Sequence, residues 1–128
     1  MFGASKGDGN VMKKIVVVED DNAVREVLVR CLEPLDCSIQ TFKDGQEAFK
    51  FLDKKASEVD LLIVDQSLPG LSGSALVEEF QKLNPAAPAL LISGAELAEV
   101  EEDVPVIKKP FSLPDFLRRV KILLEVAQ

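Results

Sequence analysis

Leu61-Leu62-Ile63-Val64 is an unbroken apolar run that ends on one carboxylate, Asp65, with a Pro69-Gly70 turn and Gly73 close behind. A run with no polar member has no face to offer water. It fits a strand covered on both sides, as in a parallel sheet sandwiched between helices. Two more apolar runs end in charge: Ile15 to Val18 meets Glu19-Asp20-Asp21, and Val106-Ile107 meets Lys108-Lys109-Pro110. All strand C-termini of a parallel sheet open onto one edge, where ligands bind. Acids and a lysine far apart in the chain are therefore expected to share one rim.

Strand and helix patterns alternate along the whole chain. Strands are expected at Lys14 to Val18, Cys37 to Phe42, Leu61 to Val64, Ala89 to Ile92 and Val106 to Lys108. The second alternates apolar and polar residues, which suits a sheet edge. Asp21 or Asn22 caps a first helix whose apolar stripe is Val24, Val27, Leu28 and Cys31. Asp44 caps a second helix, with Glu47 three residues on and Ala48, Phe51 and Leu52 inward. A third helix runs from Ser74 to Leu83, burying Leu76, Val77, Phe80 and Leu83, and Asn84-Pro85 stops it. The segment from Ala95 to Val104 is acidic and short, enough for a helical turn or two. The last helix starts near Leu113-Pro114, with proline in its first turn, and runs to about Val126. The pattern predicts an α/β fold: (βα)5, a five-stranded parallel sheet with helices on both faces and a shortened helix 4, joined by right-handed crossovers.

A chain of 128 residues fits one domain. Residues 1–12 are expected to be a disordered leader and 13–128 the folded unit. The leader lacks the apolar core of a signal peptide, and no apolar run approaches the ~20 residues of a membrane helix. The net charge of -7 argues against direct nucleic-acid binding, which depends on clustered Lys and Arg. Cys31 and Cys37, without neighbouring ligands, make a poor zinc site; their count allows one disulfide, but they read as thiols of a reducing cytoplasm. With no histidine in the chain, it can carry no phosphohistidine of its own.

Each polar strand end has a plain reading beside the chemical one. Asp65 could cap a turn. Asp21 reads better as the cap of the first helix, with its charge at a favourable helix end. Glu19 and Asp20 lie closer to the strand end. Beside Asp65 they would repel one another and shift their pKa values upward. A Mg²⁺ ion, which prefers a few carboxylates, water and phosphate oxygens, relieves that repulsion. Alternation sends Lys108 and Lys109 to different sides; Lys109 is read as the inward charge for a phosphoryl oxygen and Lys108 as solvated. Ser93 ends the fourth strand, where its hydroxyl could bond the local backbone or donate to a phosphoryl oxygen.

Taken in order, Val-Val-Val-Glu-Asp-Asp, Leu-Ile-Val-Asp-Gln-Ser-Leu-Pro-Gly-Leu-Ser-Gly, Leu-Leu-Ile-Ser-Gly and Lys-Lys-Pro-Phe resemble the receiver domain of two-component response regulators, of the chemotaxis-regulator-like kind. The resemblance covers Lys14 to Ala127. It implies a flavodoxin-like three-layer sandwich of strand order 2-1-3-4-5. It implies that Asp65 is the phosphorylated nucleophile and that Lys109 and Ser93 meet the phosphoryl group. It implies Mg²⁺ held by Asp20, Asp65 and the backbone carbonyl of Ser67, with Glu19 assisting, and a cis Lys109-Pro110 peptide. Ser93 and Val106 occupy the family's switch positions. Val106 stands where many members have an aromatic, the fourth helix is short and acidic, and Glu19 replaces the commoner Asp.

The partners implied are a histidine kinase or histidine phosphotransfer protein and an unknown downstream protein, with a homodimer also open. Arg119, Ile122 and Val126 on the last helix form a candidate interface. Two other readings compete. One is a pseudo-receiver, a binding module that takes no phosphate. The other is a hydrolase of the haloacid-dehalogenase type, which needs a second Asp where this chain has Ser67.

Overall fold

The computed structural model describes residues 12–94 and 104–126, the side chain of Val126 excepted. The expected leader and the core of the expected short fourth helix, residues 1–11 and 95–103, lie outside the described residues. In chain order the elements are β1 (Lys13–Val18), α1 (Asn22–Leu32), β2 (Cys37–Phe42), α2 (Gly45–Lys55), β3 (Leu61–Asp65), α3 (Gly73–Leu83), β4 (Ala89–Ser93), β5 (Val106–Lys108) and α4 (Leu113–Val126). Here α4 is the helix that the sequence pattern places last. Pro34 sits in a short 3₁₀ turn, Glu33–Leu35, directly after α1.

The five strands form one parallel sheet of order β2-β1-β3-β4-β5. This is the flavodoxin-like order, and the half-polar β2 lies at an edge. Register then sets the rim: Val18 pairs with Val64, Asp65 with Ile92, and Ser93 with Lys108. The residues just past these pairs, Glu19, Gln66 and Lys109, therefore leave the sheet at nearly one level.

Alternating side chains divide the core in two. Val16, Val18, Leu62, Val64 and Leu91 pack under Ala48 and Leu52 of α2 and Leu76, Val77 and Phe80 of α3. Ile15, Val17, Leu61, Ile63, Leu90, Ile92 and Ile107 pack under Leu28 and Leu32 of α1 and Phe116, Val120 and Leu124 of α4. Every residue of β3 is buried, as a strand covered on both faces must be. Each full burial of an aliphatic side chain of this size contributes about 1.5–3 kcal/mol, so this double core is what holds the rim in place.

The helix starts follow their caps. Asp21 Oδ1 accepts the N–H groups of Ala23 and Val24, and Asp44 Oδ1 that of Glu47 at 2.7 Å. Two stripe assignments need correction: Val27 is 44% and Leu83 40% exposed. Leu32, one turn beyond Leu28, fills the α1 stripe instead. Both misplaced residues lie at the margin of a helical stripe, where spacing alone cannot tell a flank from a centre.

Candidate functional site

Three strand ends supply the site. Asp65 closes β3 and is buried, at 4% exposure, because its strand is the centre of the sheet. Glu19 follows β1 directly and is equally covered, at 2%. Its backbone is fixed on two sides: its N–H donates to the Phe42 carbonyl at 3.0 Å, and the Arg25 guanidinium donates to its own carbonyl at 2.7 Å. Asp20, next in the chain, is exposed at the mouth. One carboxylate oxygen from each of Glu19, Asp20 and Asp65 lies within 4.8 Å of the others. No other such acidic group occurs among the described residues.

Lys109 arrives from the far side. Its backbone N–H donates to the Ser93 carbonyl at 2.8 Å, extending the β4–β5 pairing by one residue. Its amine then lies 3.3 Å from Asp65 Oδ1. Lys108 points out to solvent. The Lys109-Pro110 peptide is cis. Ser93 is buried at the end of β4, between the β3 and β5 strand ends. Ser67 is exposed, two residues beyond Asp65.

Glu19 is the electrostatic oddity. Burial is the main force raising its pKa, to about 7, opposed by the Asp21 N–H that donates to Oε2 at 3.1 Å. Asp65 raises it further, and Lys109 pulls it down. Its other oxygen, Oε1, is buried with no hydrogen-bond partner. Such an orphaned acceptor is costly unless something electropositive meets it. An all-oxygen set of three carboxylates, one with a free buried lone pair, matches a hard divalent cation such as Mg²⁺. Asp21, by contrast, spends its carboxylate on the start of α1, as a cap does.

Sequence reasoning missed Gln66. Its carboxamide faces α3: Oε1 accepts the Ser74 N–H at 2.7 Å and Nε2 donates to Ser74 Oγ at 3.2 Å. A Gln after a strand gives no signal of this in sequence. Gly73 is legible afterwards: a methyl group there would lie 2.4 Å from the Asp65 carbonyl oxygen and 2.7 Å from Gln66 Cα.

The remaining candidates lie on or beside α4. Arg119 is tied down, donating to the Val106 carbonyl at 2.9 Å and pairing with Asp115 at 3.4 Å. Ile122 is 51% exposed, and the Val126 side chain lies outside the described residues. Val106 is half-buried against the α2–α3 side of the core. No described helix is long and apolar enough to cross a membrane.

Comparison with known proteins gives one consistent answer. The family model described as "Response regulator receiver domain" matches residues 15–121. The response regulator receiver protein CpdR of Brucella abortus (strain 2308) is 30% identical over 122 residues, covering 91% of this chain and 100% of its own length. The sensor kinase CckA of the same organism is 29% identical over 117 residues, 87% of this chain but 12% of the kinase. The response regulator MprA of Mycobacterium avium (strain 104) is 33% identical over 87% of the chain, which spans half of that regulator. Among solved structures, the receiver domain of the hybrid histidine kinase CckA superposes with TM-score 0.76 at 33% identity, covering 87% of this chain and 98% of that one. A CheY-like receiver domain protein from Methanospirillum hungatei JF-1 gives 0.78 at 25% identity, covering 91% and 96%.

Proposed function

Because the chain belongs to the response regulator receiver domain family of two-component systems, we propose that Asp65 is its phosphoacceptor and that residues 13–128 form the receiver unit. The observation that carries this reading is the Lys109 amine 3.3 Å from a buried Asp65 whose carboxylate already neighbours two others. Phosphoryl transfer asks a protein for placement and charge neutralisation more than for covalent help. This rim offers both.

An Asp65 oxygen attacks the phosphorus of a phosphohistidine on a histidine kinase or phosphotransfer protein. The P–N bond breaks as the P–O bond forms, and its electron pair stays on the partner's imidazole nitrogen. The donor imidazole lies outside these 128 residues, which include no histidine. Glu19, Asp20, Asp65 and the Ser67 carbonyl would hold Mg²⁺, which when bound neutralises charge on the phosphoryl oxygens. Lys109, left without its Asp65 partner once that carboxylate becomes an acyl phosphate, pairs with the phosphoryl group. The Ser93 hydroxyl turns to donate to it. The output is a shift between two conformations worth roughly 1–3 kcal/mol, read by a downstream protein in the cytoplasm.

The test is incubation with Mg²⁺ and acetyl phosphate, followed by intact-mass measurement. The parent chain gains one phosphoryl group and Asp65→Asn gains none. A parent chain that gains no mass, and whose amide spectrum beryllofluoride with Mg²⁺ leaves unchanged, makes the protein a binding module that takes no phosphate.

A further inference from the structure

The stretch between Asp65 and α3 is fastened at several points, and one residue supplies most of them. The first internal hydrogen bond of α3 runs from Leu76 N–H to the carbonyl of its cap, Ser72, at 3.0 Å, so the N–H groups of Gly73, Ser74 and Ala75 need partners outside that ladder. Ser72 Oγ takes the Ala75 N–H at 3.3 Å. The other two go to Gln66: its carbonyl accepts Gly73 N–H at 3.1 Å and its Oε1 accepts Ser74 N–H at 2.7 Å. Gln66 Nε2 reaches Ser74 Oγ, and its own N–H donates to the Ile92 carbonyl of β4 at 2.8 Å. Gln66 thus binds three elements at once: the end of β3, the neighbouring β4 and the first turn of α3.

Two consequences follow. The start of α3 has its donors spent on the loop, so it does not serve as an anion cradle. The segment 67–72 becomes a closed loop whose two ends are held together at Gln66, with Gly73 pressed against the Asp65 carbonyl. Ser67, the first residue of that loop, then has little freedom to place its carbonyl.

We infer that Gln66 is a positioning residue whose carboxamide, by clamping Ser74, sets the backbone after Asp65 for cation binding. The inference rests on the acceptor-site reading above and adds to it a residue that touches neither metal nor phosphoryl group.

The experiment measures Mg²⁺ binding by calorimetry, thermal unfolding, and exchange of the Ser74 amide in metal-free protein. Gln66→Met keeps the volume and removes both side-chain bonds. It is expected to speed Ser74 exchange at least tenfold and weaken Mg²⁺ binding about five- to tenfold, while melting within a few degrees of the parent. Ser74→Ala removes the hydroxyl arm, together with its 3.4 Å contact to Ser72 Oγ, and should weaken Mg²⁺ about twofold. Gln66→Glu keeps an acceptor for the Ser74 N–H and should restore slow exchange. If Gln66→Met and Ser74→Ala both bind Mg²⁺ as the parent does, the inference falls while the acceptor site stands. If the parent binds no Mg²⁺, both fall.

Discussion

The two flanks of Asp65 are built on different principles. On the β3–α3 flank the chain is held by backbone: Gly73 lies in van der Waals contact too close for any side chain, and Gln66 ties off the helix start. On the β5 flank a single long side chain spans the gap, and the Lys109 side chain is 38% exposed. The first arrangement cannot shift without breaking several contacts. The second can swing about four rotatable bonds at little cost. The proposed acceptor role calls for both. On that reading the acceptor and its cation oxygens are preset, and the positive charge follows from a carboxylate to a bulkier phosphoryl group.

The sharpest way to break this contrast is Gly73→Ala. The added methyl would meet the Asp65 carbonyl oxygen at 2.4 Å, and backbone atoms cannot rotate aside as a flexible side-chain tip can. We expect a loss of about 3 kcal/mol in urea unfolding, the upper range for overpacking. A loss under about 1 kcal/mol would show that the α3 flank gives way easily and that its rigidity has been overstated.

That flank also shows where the sequence was legible. The fold class followed from apolar runs, because strands buried on two faces leave few alternatives, and the strand order followed from the family resemblance alone. The rim followed too: Glu19, Asp20, Asp65 and Lys109 lie at strand ends or within two residues of them, and parallel topology alone gathers strand ends. Val27 and Leu83 were misplaced because their burial depends on which neighbour crosses the helix, not on helical spacing. Gln66 was invisible for a similar reason. Its partner, Ser74, is eight residues on, and only the turn through Gly70, at φ 78°, folds the chain back to it.

A second expectation sharpens the comparison from the acidic side. Burial raises the Glu19 carboxyl from about 4.5 when unfolded to about 7 when folded and metal-free. The native state therefore holds its proton more tightly, and native stability falls as pH rises from about 4.5 to about 7. One proton gives at most about 1.4 kcal/mol per pH unit. The chain has no histidine, so no other side chain ordinarily titrates between pH 5 and 8. Urea unfolding in chelator at pH 5 and pH 8 should show this fall, and Glu19→Gln should flatten it. Saturating Mg²⁺ should flatten it as well, because the cation favours the charged form. A slope unchanged in Glu19→Gln would assign the effect elsewhere.

The smallest effect on stability is expected from Lys109→Met, and it bears on the swinging flank. An ion pair whose cation is partly solvated contributes about 1 kcal/mol or less, so unfolding should barely change in Mg²⁺. Two other readouts should move. Lys109 lowers the Glu19 pKa, so its removal shifts the metal-free stability slope to higher pH. The amide spectrum of the beryllofluoride complex should also lack the shifts around Ser93 and position 109 expected of the parent, while acetyl phosphate still labels Asp65. Stability would then reside on the α3 flank and responsiveness on the β5 flank. A Lys109→Met protein as unstable as Gly73→Ala, or one that keeps the full beryllofluoride response, would mean that the two flanks do not divide these tasks.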